Sequence, residues 1–295
     1  MKGTSMTVYL NGIYLDHADA VVSVDDRGFL FGDGVYEMTR AHNGLLFEGE
    51  RHFRRLRRGL DGLAITLPHG TDLSTLSDVS ERLLEENQLT SGDATVYLQI
   101  TRGAAPRKHQ CPPPGTTPTV FLSASRLVVP DDIRQRGAAA VTTADVRWGR
   151  WDLKTINLLP NVLAKQEAVA RGAFEAILVR DGVLIEGSSS NLFAVLDGVI
   201  RTHPATNQIL AGITREVVLE IAAELALPAA EEPIRVADLA RVSELMVTAT
   251  TADVMPIVQL DGKPVRDGRP GPVARQLNAA LRARIERATA RVPAR

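Results

Sequence analysis

The sequence is poor in several features that mark whole classes of protein. It holds a single cysteine, Cys111, which excludes an internal disulfide and a cysteine-rich zinc site. Its formal net charge is −1, so it lacks the basic surface of a nucleic-acid-binding or acidic-membrane-binding protein. No apolar run is long enough to span a bilayer, and the N-terminal stretch MKGTSMTVYLNG contains no apolar signal core. These absences predict a globular cytoplasmic protein with no metal site, no nucleic-acid partner and no membrane partner.

Lysine is also scarce. Of the 34 lysines and arginines only five are lysines, and one of them, Lys154, lies in the largely apolar stretch WDLKTINLLP. Arginine stays charged and binds oxyanions through bidentate hydrogen bonds, whereas a lysine amine can lose its proton and attack a carbonyl carbon. One interpretation of Lys154 is therefore a nucleophilic amine. The other is a lysine whose stem packs against apolar neighbours while its amine reaches water.

The first part of the chain mixes strand and helix signals. The pair Asn11-Gly12 suits a tight hairpin turn, and residues 28–38 read as a short strand with glycines. Residues 51–63 and 76–89 have the apolar spacing of amphipathic helices. The stretch RGAAPRKHQCPPPG, residues 102–115, is too rich in proline and glycine to be regular, so it predicts a long loop.

The pattern changes near Pro130. Beyond it, strand signals alternate with turn pairs, and Asp181-Gly182 and Asp197-Gly198 each predict a hairpin. The whole chain is therefore predicted to be an α+β protein of two domains. We expect the domain boundaries at 1–125 for the first domain, 126–133 for a linker and 134–295 for the second domain.

A carboxylate, Glu186, ends an apolar strand in the stretch IEGSSSN. One interpretation is a strand-end cap, with Ser188, Ser189 and Ser190 serving only as turn residues. The other is an acidic partner for a heterocyclic nitrogen. Pyridoxal phosphate needs such a group, because an ionised carboxylate keeps the pyridine nitrogen protonated and makes the ring an electron sink.

Three further stretches suit a phosphate group. In QILAGITREVV, Gly212 precedes a predicted helix, and helix N-termini bind phosphate through free N–H groups, although such a helix start is common. The stretch RHFRRLRRG clusters arginines, one of which could fork onto a phosphate, but a basic helix is usually a solvated face. Threonines in VTATTADV could add hydroxyl donors, or simply favour a strand.

Several separated stretches, taken together and in order, resemble one known family. They are LNGIYLDHADAVVSVDDRGFLFGDGVYE, WDLKTINLLPNVLAKQEAVARGAFEAILVRDGVLIEGSSSNLF, ILAGITR and VTATTADVMPI. The chain resembles, over nearly its whole length, the fold-type IV pyridoxal-phosphate aminotransferases. This resemblance implies a small N-terminal α/β domain, a larger C-terminal domain with a β-barrel-like core, and pyridoxal 5'-phosphate as cofactor.

The resemblance also assigns residues to roles. Lys154 matches the lysine that forms the Schiff base, and Glu186 the partner of the pyridine nitrogen. Arg55, in HFRRL, matches the phosphate-binding arginine, and Leu210 the residue packed against the cofactor ring. The remaining cofactor-binding positions implied by the resemblance, all for the phosphate, are Ile213, Thr214 and Thr250.

Substrate choice is expected to lie in the long loop. Arg107 and His109 are two apart there, as in the D-amino acid aminotransferases of this family, and Tyr36 matches the tyrosine that completes a trap for the substrate carboxylate. The pattern implies amino transfer between D-amino acids, such as D-alanine and D-glutamate, and 2-oxo acids. Met38 stands where a smaller apolar residue is typical of the D-enzymes.

Other functions stay open at this point. Within the family they are an (R)-selective amine transaminase, an L-branched-chain aminotransferase and a lyase. Outside it, the chain could be a catalytically idle cofactor-binding protein, which would need neither Lys154 nor Glu186 intact. The resemblance further implies a homodimer in which the loop of Arg107 reaches the site of the neighbouring subunit.

Overall fold

A computed structural model of the chain describes residues 6–290. Residues 1–5, which begin the segment expected to lack a signal core, lie outside this range, as do residues 291–295. The described chain forms two compact units. The first runs to Val128 and also takes in Leu153–Asn157 and the residues from Ile285 onward, and the second comprises Val129–Asp152 and Leu158–Arg284.

The first unit is built on a six-stranded, fully antiparallel sheet with the strand order β2-β1-β6-β5-β3-β4. The predicted hairpin near the start is confirmed, since Asn11 and Gly12 both have positive φ, as a type I′ turn requires. The strands are β1 (Thr7–Leu10), β2 (Ile13–Asp16), β3 (Gly34–His42), β4 (Leu45–Leu46), β5 (Asp93–Thr101) and β6 (Thr119–Arg126).

The prediction of a strand over residues 28–38 is wrong in its first half. Residues Arg27–Phe31 form a short helix, α1, and β3 begins only at Gly34. The Asp26 carboxylate accepts a hydrogen bond from the N–H of Gly28 and caps the helix, and Gly32 ends it in the left-handed conformation, at φ 67°. These start and stop signals outweigh the glycine content on which the strand prediction was based.

Two longer helices, α2 (Gly49–Gly62) and α3 (Leu73–Glu86), cover one face of this sheet and confirm the two predicted helices with shifted ends. Leu56 and Leu60 of α2 and Leu76 of α3 are buried in the core of the unit. Full burial of each such side chain contributes about 2 kcal/mol. Because side chains alternate along β3, Val35 joins this core while Tyr36 lies on the opposite face and stays half-buried.

The segment Leu153–Asn157 pairs with the first residues of β3. The N–H of Tyr36 donates to the carbonyl of Lys154 at 3.0 Å, and the N–H of Ile156 donates to the carbonyl of Gly34 at 3.1 Å. Lys154 therefore belongs by its contacts to the first unit, although it follows the linker in sequence.

The second unit is a curled, half-barrel sheet of ten strands, mostly antiparallel, with three parallel pairs. Both predicted hairpins are confirmed, with positive φ at Asp181 and Gly182 and at Asp197 and Gly198. The strands are β7 (Ala138–Ala144), β8 (Glu175–Arg180), β9 (Val183–Gly187), β10 (Asn191–Leu196), β11 (Val199–Thr202), β12 (Ala229–Glu231), β13 (Ile234–Arg235), β14 (Val242–Ala249), β15 (Asp253–Leu260) and β16 (Lys263–Pro264).

The remaining helices are α4 (Asp131–Arg136), α5 (Leu159–Ala170), α6 (Ile213–Glu224) and α7 (Pro272–Ala288). Helix α5 packs through Ala164 and Ala168 on Val141 and Leu178 of the sheet. The mixed α and β content and the half-barrel confirm the predicted α+β fold with a barrel-like second part. No helix within residues 6–290 is long and apolar enough to cross a membrane.

Candidate active site

Lys154 lies in an irregular segment, and the next residue, Thr155, forms an isolated bridge with Val35 of β3. Leu153 and Thr155, on either side of it, are buried, while Lys154 itself is half-buried. Its Nζ lies 4.2 Å from the centre of the Tyr36 ring, so two of the predicted site residues come together in the first unit. The ring face stabilises a protonated amine. The arrangement gives an amine that is held in place by its backbone and remains partly open to its surroundings.

Arg55 is buried beside two residues that the sequence did not single out. Its Nε and Nη2 donate to the two carboxylate oxygens of Glu37 at 2.7 and 2.8 Å, and Nδ1 of His52 lies 2.9 Å from the same carboxylate. Burial alone would raise the pKa of Glu37, but the charge and hydrogen bonds of Arg55, with the bond to His52, hold it well below its usual range. Glu37 is therefore an anion that orients Arg55.

The sequence pattern indicates only part of this cluster. His52 precedes Arg55 by three residues, so both lie on one face of α2. Glu37 comes from β3, and only the tertiary fold brings it there. The neighbouring Arg54, by contrast, is exposed and 3.6 Å from Glu50, which is the ordinary solvated ion pair of a basic helix.

Glu186 ends β9 and is buried in a set of three donors. Nη1 of Arg147 lies 2.5 Å from one carboxylate oxygen. Nδ2 of Asn191 and the N–H of Leu210 donate to the other oxygen at 3.0 and 3.2 Å. Burial raises the pKa of Glu186 to about 7, and the charge of Arg147 opposes that rise. The carboxyl group of Glu186 thus gains or loses its proton near pH 7, and a second positive charge beside it would fully ionise it.

Arg147 is itself held from several sides. Its Nε donates to Asp145 at 2.8 Å, and its guanidinium carbon lies 4.1 Å from the centre of a ring of Trp151. Asp145 also pairs with Arg180 at 3.1 Å. No sequence pattern indicates this network, because Arg147 precedes Glu186 by a whole helix and strand and meets it only in the folded sheet.

The three serines after Glu186 have a common partner. The hydroxyls of Ser188, Ser189 and Ser190 donate to the carboxylate of Glu175 at 2.5, 3.2 and 2.8 Å. Glu175 is buried at the start of β8. A serine hydroxyl has one proton to donate. The serines therefore fix the loop between β9 and β10, which supports their interpretation as turn residues.

The start of α6 lies beside the Glu186 group. Gly212 is the N-cap of α6 and makes no side-chain capping bond, and the first helical residues, Ile213 and Thr214, are buried. Nδ2 of Asn191 donates to the carbonyl of Leu210 at 2.8 Å. A Cβ at Gly212 would come within 2.0 Å of Oδ1 of Asn191, so only glycine fits this approach. The second unit thus brings Glu186, Leu210 and the helix start together.

Thr250 lies half-buried in the turn between β14 and β15. Two residues before it, Thr248 pairs across the sheet with Asn191. The Thr248 hydroxyl oxygen is buried and has no hydrogen-bond partner among the described residues. A buried donor without a partner is costly, so a polar group is expected near this point.

Arg107 and His109 are both exposed in the loop that follows β5. Both contact Phe31, with the Arg107 guanidinium carbon 5.3 Å and the His109 ring 5.8 Å from the centre of its ring. Among the described residues, neither is hydrogen-bonded to Tyr36, the third residue of the predicted carboxylate trap. No cluster of His, Cys, Asp or Glu side chains within residues 6–290 is arranged to hold a metal ion.

Comparison with known proteins decides the family. The model of the amino-transferase class IV family matches residues 34–260. The chain belongs to this family. The sequence-based assignment to the fold-type IV aminotransferases is thereby confirmed, and the chain is a pyridoxal-phosphate-dependent aminotransferase of that class.

The curated relatives and solved structures that resemble the chain are also aminotransferases. The D-alanine aminotransferase of Staphylococcus epidermidis is 42% identical over 279 residues, 95% of this chain and 98% of the relative. The one from Bacillus licheniformis is 40% identical over 286 residues, covering 97% and 99%. The branched-chain aminotransferase of the archaeon Thermoproteus uzoniensis, solved with norvaline, superposes with a TM-score of 0.83 at 27% identity, covering 95% of each chain. The Escherichia coli branched-chain enzyme superposes with a TM-score of 0.84 at 25% identity, covering 95% and 94%.

Proposed function

We propose that this aminotransferase moves the amino group between D-amino acids and 2-oxo acids in two half-reactions. The observation that carries the D-amino acid assignment is the pair Arg107 and His109 on an exposed loop, in a chain 42% identical to a D-alanine aminotransferase over 95% of its length. A guanidinium fork and an imidazole are suited to holding a carboxylate.

The residues present fit the cofactor. Its phosphate carries negative charge and suits the start of α6, where Gly212 makes no side-chain cap and the Thr248 hydroxyl lacks a partner among the described residues. Its pyridine nitrogen suits the buried carboxylate of Glu186. When bound, pyridoxal phosphate supplies an electron sink for the substrate carbon that loses its proton.

Lys154 is proposed to bind the cofactor covalently and then to move the substrate proton. Once released, its Nζ takes the proton from Cα of the substrate and later returns a proton, as general base and then general acid. The Tyr36 ring, 4.2 Å from Nζ, holds the amine in position between these steps. Glu186 holds a proton on the ring nitrogen through its ionised carboxylate, and Arg147 and Asn191 keep that carboxylate in place.

The other cofactor contacts follow the same proposal. Arg55, oriented by Glu37, and the backbone N–H groups of Ile213 and Thr214 bind the phosphate, with the hydroxyl of Thr214 as a further donor. Thr250 adds another hydroxyl, and Leu210 packs against the ring. The domain boundaries 1–125, 126–133 and 134–295 are kept in this proposal, with most cofactor contacts in the last part.

A homodimer and a cytoplasmic location are also part of the proposal. Helix α5 exposes an apolar stripe, since each of its members is more than half exposed: Leu159, Val162, Leu163 and Val169. An apolar stripe on a helix is typical of a surface covered by another protein. In a dimer, Arg107 and His109 of one chain would join Tyr36 of the other. The single cysteine, Cys111, suits a reducing compartment.

A second candidate is an L-branched-chain aminotransferase, favoured by the fold similarity to solved enzymes of that name. An (R)-amine transaminase is a third, since an exposed Arg107 could move aside for substrates without a carboxylate.

The test is a half-reaction with the purified yellow protein and no amino acceptor. D-Alanine, L-leucine and (R)-1-phenylethylamine are added separately while the visible absorption of the bound cofactor is followed.

We expect rapid loss of that absorption with D-alanine alone. Loss with L-leucine alone would overturn the D-amino acid assignment while leaving the roles of Lys154 and Glu186 intact. A response mainly to the amine would favour the amine transaminase. A protein that binds no pyridoxal phosphate would contradict the proposal as a whole.

A further inference from the structure

A buried arginine that the family comparison does not assign supports the loop of Arg107. We call residues 102–118, between β5 and β6, the Arg107 loop. Arg27, at the start of α1, is 4% exposed. Its Nη1 donates to the carbonyls of Lys108 at 2.7 Å and of Gln110 at 3.4 Å, and its Nη2 donates to the carbonyl of His109 at 3.5 Å. One guanidinium therefore binds three consecutive carbonyls of the loop.

The same short helix also contacts the side chains of the loop. The ring of Phe31 lies 5.3 Å from the guanidinium carbon of Arg107 and 5.8 Å from the ring of His109. The guanidinium of Arg27 lies 4.8 Å from this ring as well. Cation–π contacts of this length are attractive. Phe31 is thus in contact with both side chains proposed to bind the substrate carboxylate.

Helix α1 is itself fixed from both ends. The Asp26 carboxylate accepts hydrogen bonds from the hydroxyls of Thr101 at 2.8 Å and Thr119 at 2.6 Å, at the two ends of the Arg107 loop. Asp33 accepts from Nε of Arg27 at 2.8 Å and from Nε of Arg102, the first loop residue, at 2.8 Å. The helix and both ends of the loop form one hydrogen-bonded frame.

We propose that Arg27 and Phe31 are positioning residues, which hold Arg107 and His109 in the orientation that binds a substrate carboxylate. A loop of this length, rich in proline and glycine and exposed to solvent, would otherwise lose conformational freedom each time a substrate binds. Arg27 reduces this entropy cost by ordering the main chain of the loop before a substrate binds. Phe31 reduces it by ordering the side chains of Arg107 and His109. This inference rests on the proposed function, because it assumes that the loop binds a carboxylate.

The test compares ligands that differ in the carboxylate. Propionate binding to the holoenzyme is measured through its effect on the cofactor absorption, and the half-reaction is measured with D-alanine and with D-alaninamide, which lacks the carboxylate. The variants are Arg27→Gln, Phe31→Leu, Arg107→Gln and the double variant Arg27→Gln/Arg107→Gln. The control is Arg134→Gln, which removes an equally buried arginine that pairs with Asp253 at 2.9 Å in the second unit.

We expect Arg27→Gln to raise the propionate dissociation constant and the half-saturating D-alanine concentration by about tenfold or more, with less than about a threefold change in limiting rate. Phe31→Leu should act in the same direction. D-Alaninamide should be affected less than about threefold. The loss in the double variant should be smaller than the product of the two single losses, because Arg27 acts in part through Arg107.

Three results would overturn the inference. They are wild-type propionate binding in both Arg27→Gln and Phe31→Leu, equal losses for D-alaninamide and D-alanine, and an equal loss in Arg134→Gln. If Arg27→Gln does not fold, Phe31→Leu, which removes a half-exposed ring, decides the question. A wild-type protein that does not react with D-alanine would overturn the proposed function. A wild type that reacts, with Arg27 and Phe31 variants that bind propionate normally, would overturn only the further inference.

Discussion

The carboxylate of Glu186 accepts a 2.5 Å hydrogen bond from Arg147, and both side chains are buried. An arginine in this position does more than pair a charge. It offsets the effect of burial, which raises the pKa of Glu186 to about 7, and so keeps the carboxylate close to ionisation before any cofactor arrives. A protonated pyridine nitrogen would complete that ionisation.

The raised pKa of Glu186 predicts a pH-dependent stability of the cofactor-free protein. Folded Glu186 holds its proton up to about pH 7, while the unfolded carboxyl loses it near 4.5. The folded state therefore binds more protons between these values, and its stability falls as pH rises from 4.5 to 7, by on the order of 3 kcal/mol. The unfolding free energy of the cofactor-free protein, measured with urea, should fall more steeply from pH 4.5 to 7 in the wild type than in Glu186→Gln. Parallel curves for the two proteins would contradict the pKa assignment.

The pair of Glu37 and Arg55 predicts the opposite pH behaviour. The pKa of Glu37 is lowered in the folded protein, so its stabilisation is present above the ordinary carboxyl range and is lost as the solution becomes strongly acidic. At pH 7, Glu37→Gln replaces the charged group that binds the buried Arg55 by a neutral amide and should cost about 3–5 kcal/mol in unfolding free energy.

Cofactor affinity should fall in the same Glu37→Gln variant, because Arg55 loses its orientation. The matched control is Glu50→Gln, which removes the exposed partner of Arg54 and should change stability by less than about 0.5 kcal/mol. If Glu37→Gln bound pyridoxal phosphate as tightly as the wild type, the role of Glu37 in orienting Arg55 would be wrong.

The close approach of Gly212 to Asn191 gives a third prediction. In Gly212→Ala, the new Cβ would displace Oδ1 of Asn191, whose Nδ2 joins Glu186 to the carbonyl of Leu210. Loss of a hydrogen bond to a buried carboxylate costs about 1.5–3 kcal/mol, so the dissociation constant of pyridoxal phosphate should rise by about tenfold to a hundredfold. Fluorescence titration of the cofactor-free protein measures this.

Gly149→Ala is the control for that substitution, because a Cβ at Gly149 would meet no heavy atom within 4 Å. It should bind the cofactor as the wild type does. An unchanged dissociation constant in Gly212→Ala would show that Asn191 does not need this packing to hold Glu186.

The sequence predicted most of the fold, and the family resemblance named the candidate site residues. Turn pairs such as Asp181-Gly182 are local signals, so the hairpins were found correctly. Helix α1 was missed, although Asp26 and Gly32 are an ordinary cap and stop, because a five-residue helix shows almost no apolar period. Short elements of this kind are set by their ends rather than by a repeating pattern.

The partners of the site residues were not predictable in the same way. Arg147 meets Glu186 across the sheet, and Glu37 meets Arg55 between a strand and a helix. Neither pair has a fixed sequence spacing, so no periodic pattern reports it. Arg27 likewise binds loop carbonyls, and any residue type supplies a carbonyl. Burial turns these pairings into strong constraints, and burial depends on the complete fold.

The most direct test of the central claim is proton exchange at the substrate Cα. The holoenzyme is incubated in deuterium oxide with D-alanine or L-alanine and no amino acceptor, and proton NMR follows the loss of the Cα signal. Wild type and Lys165→Ala, a control lysine that binds the carbonyl of Phe174, should exchange D-alanine quickly, and Lys154→Ala should not. L-Alanine should exchange far more slowly. Equal exchange of both enantiomers, or exchange in Lys154→Ala at the wild-type rate, would contradict a D-amino acid aminotransferase that works through Lys154.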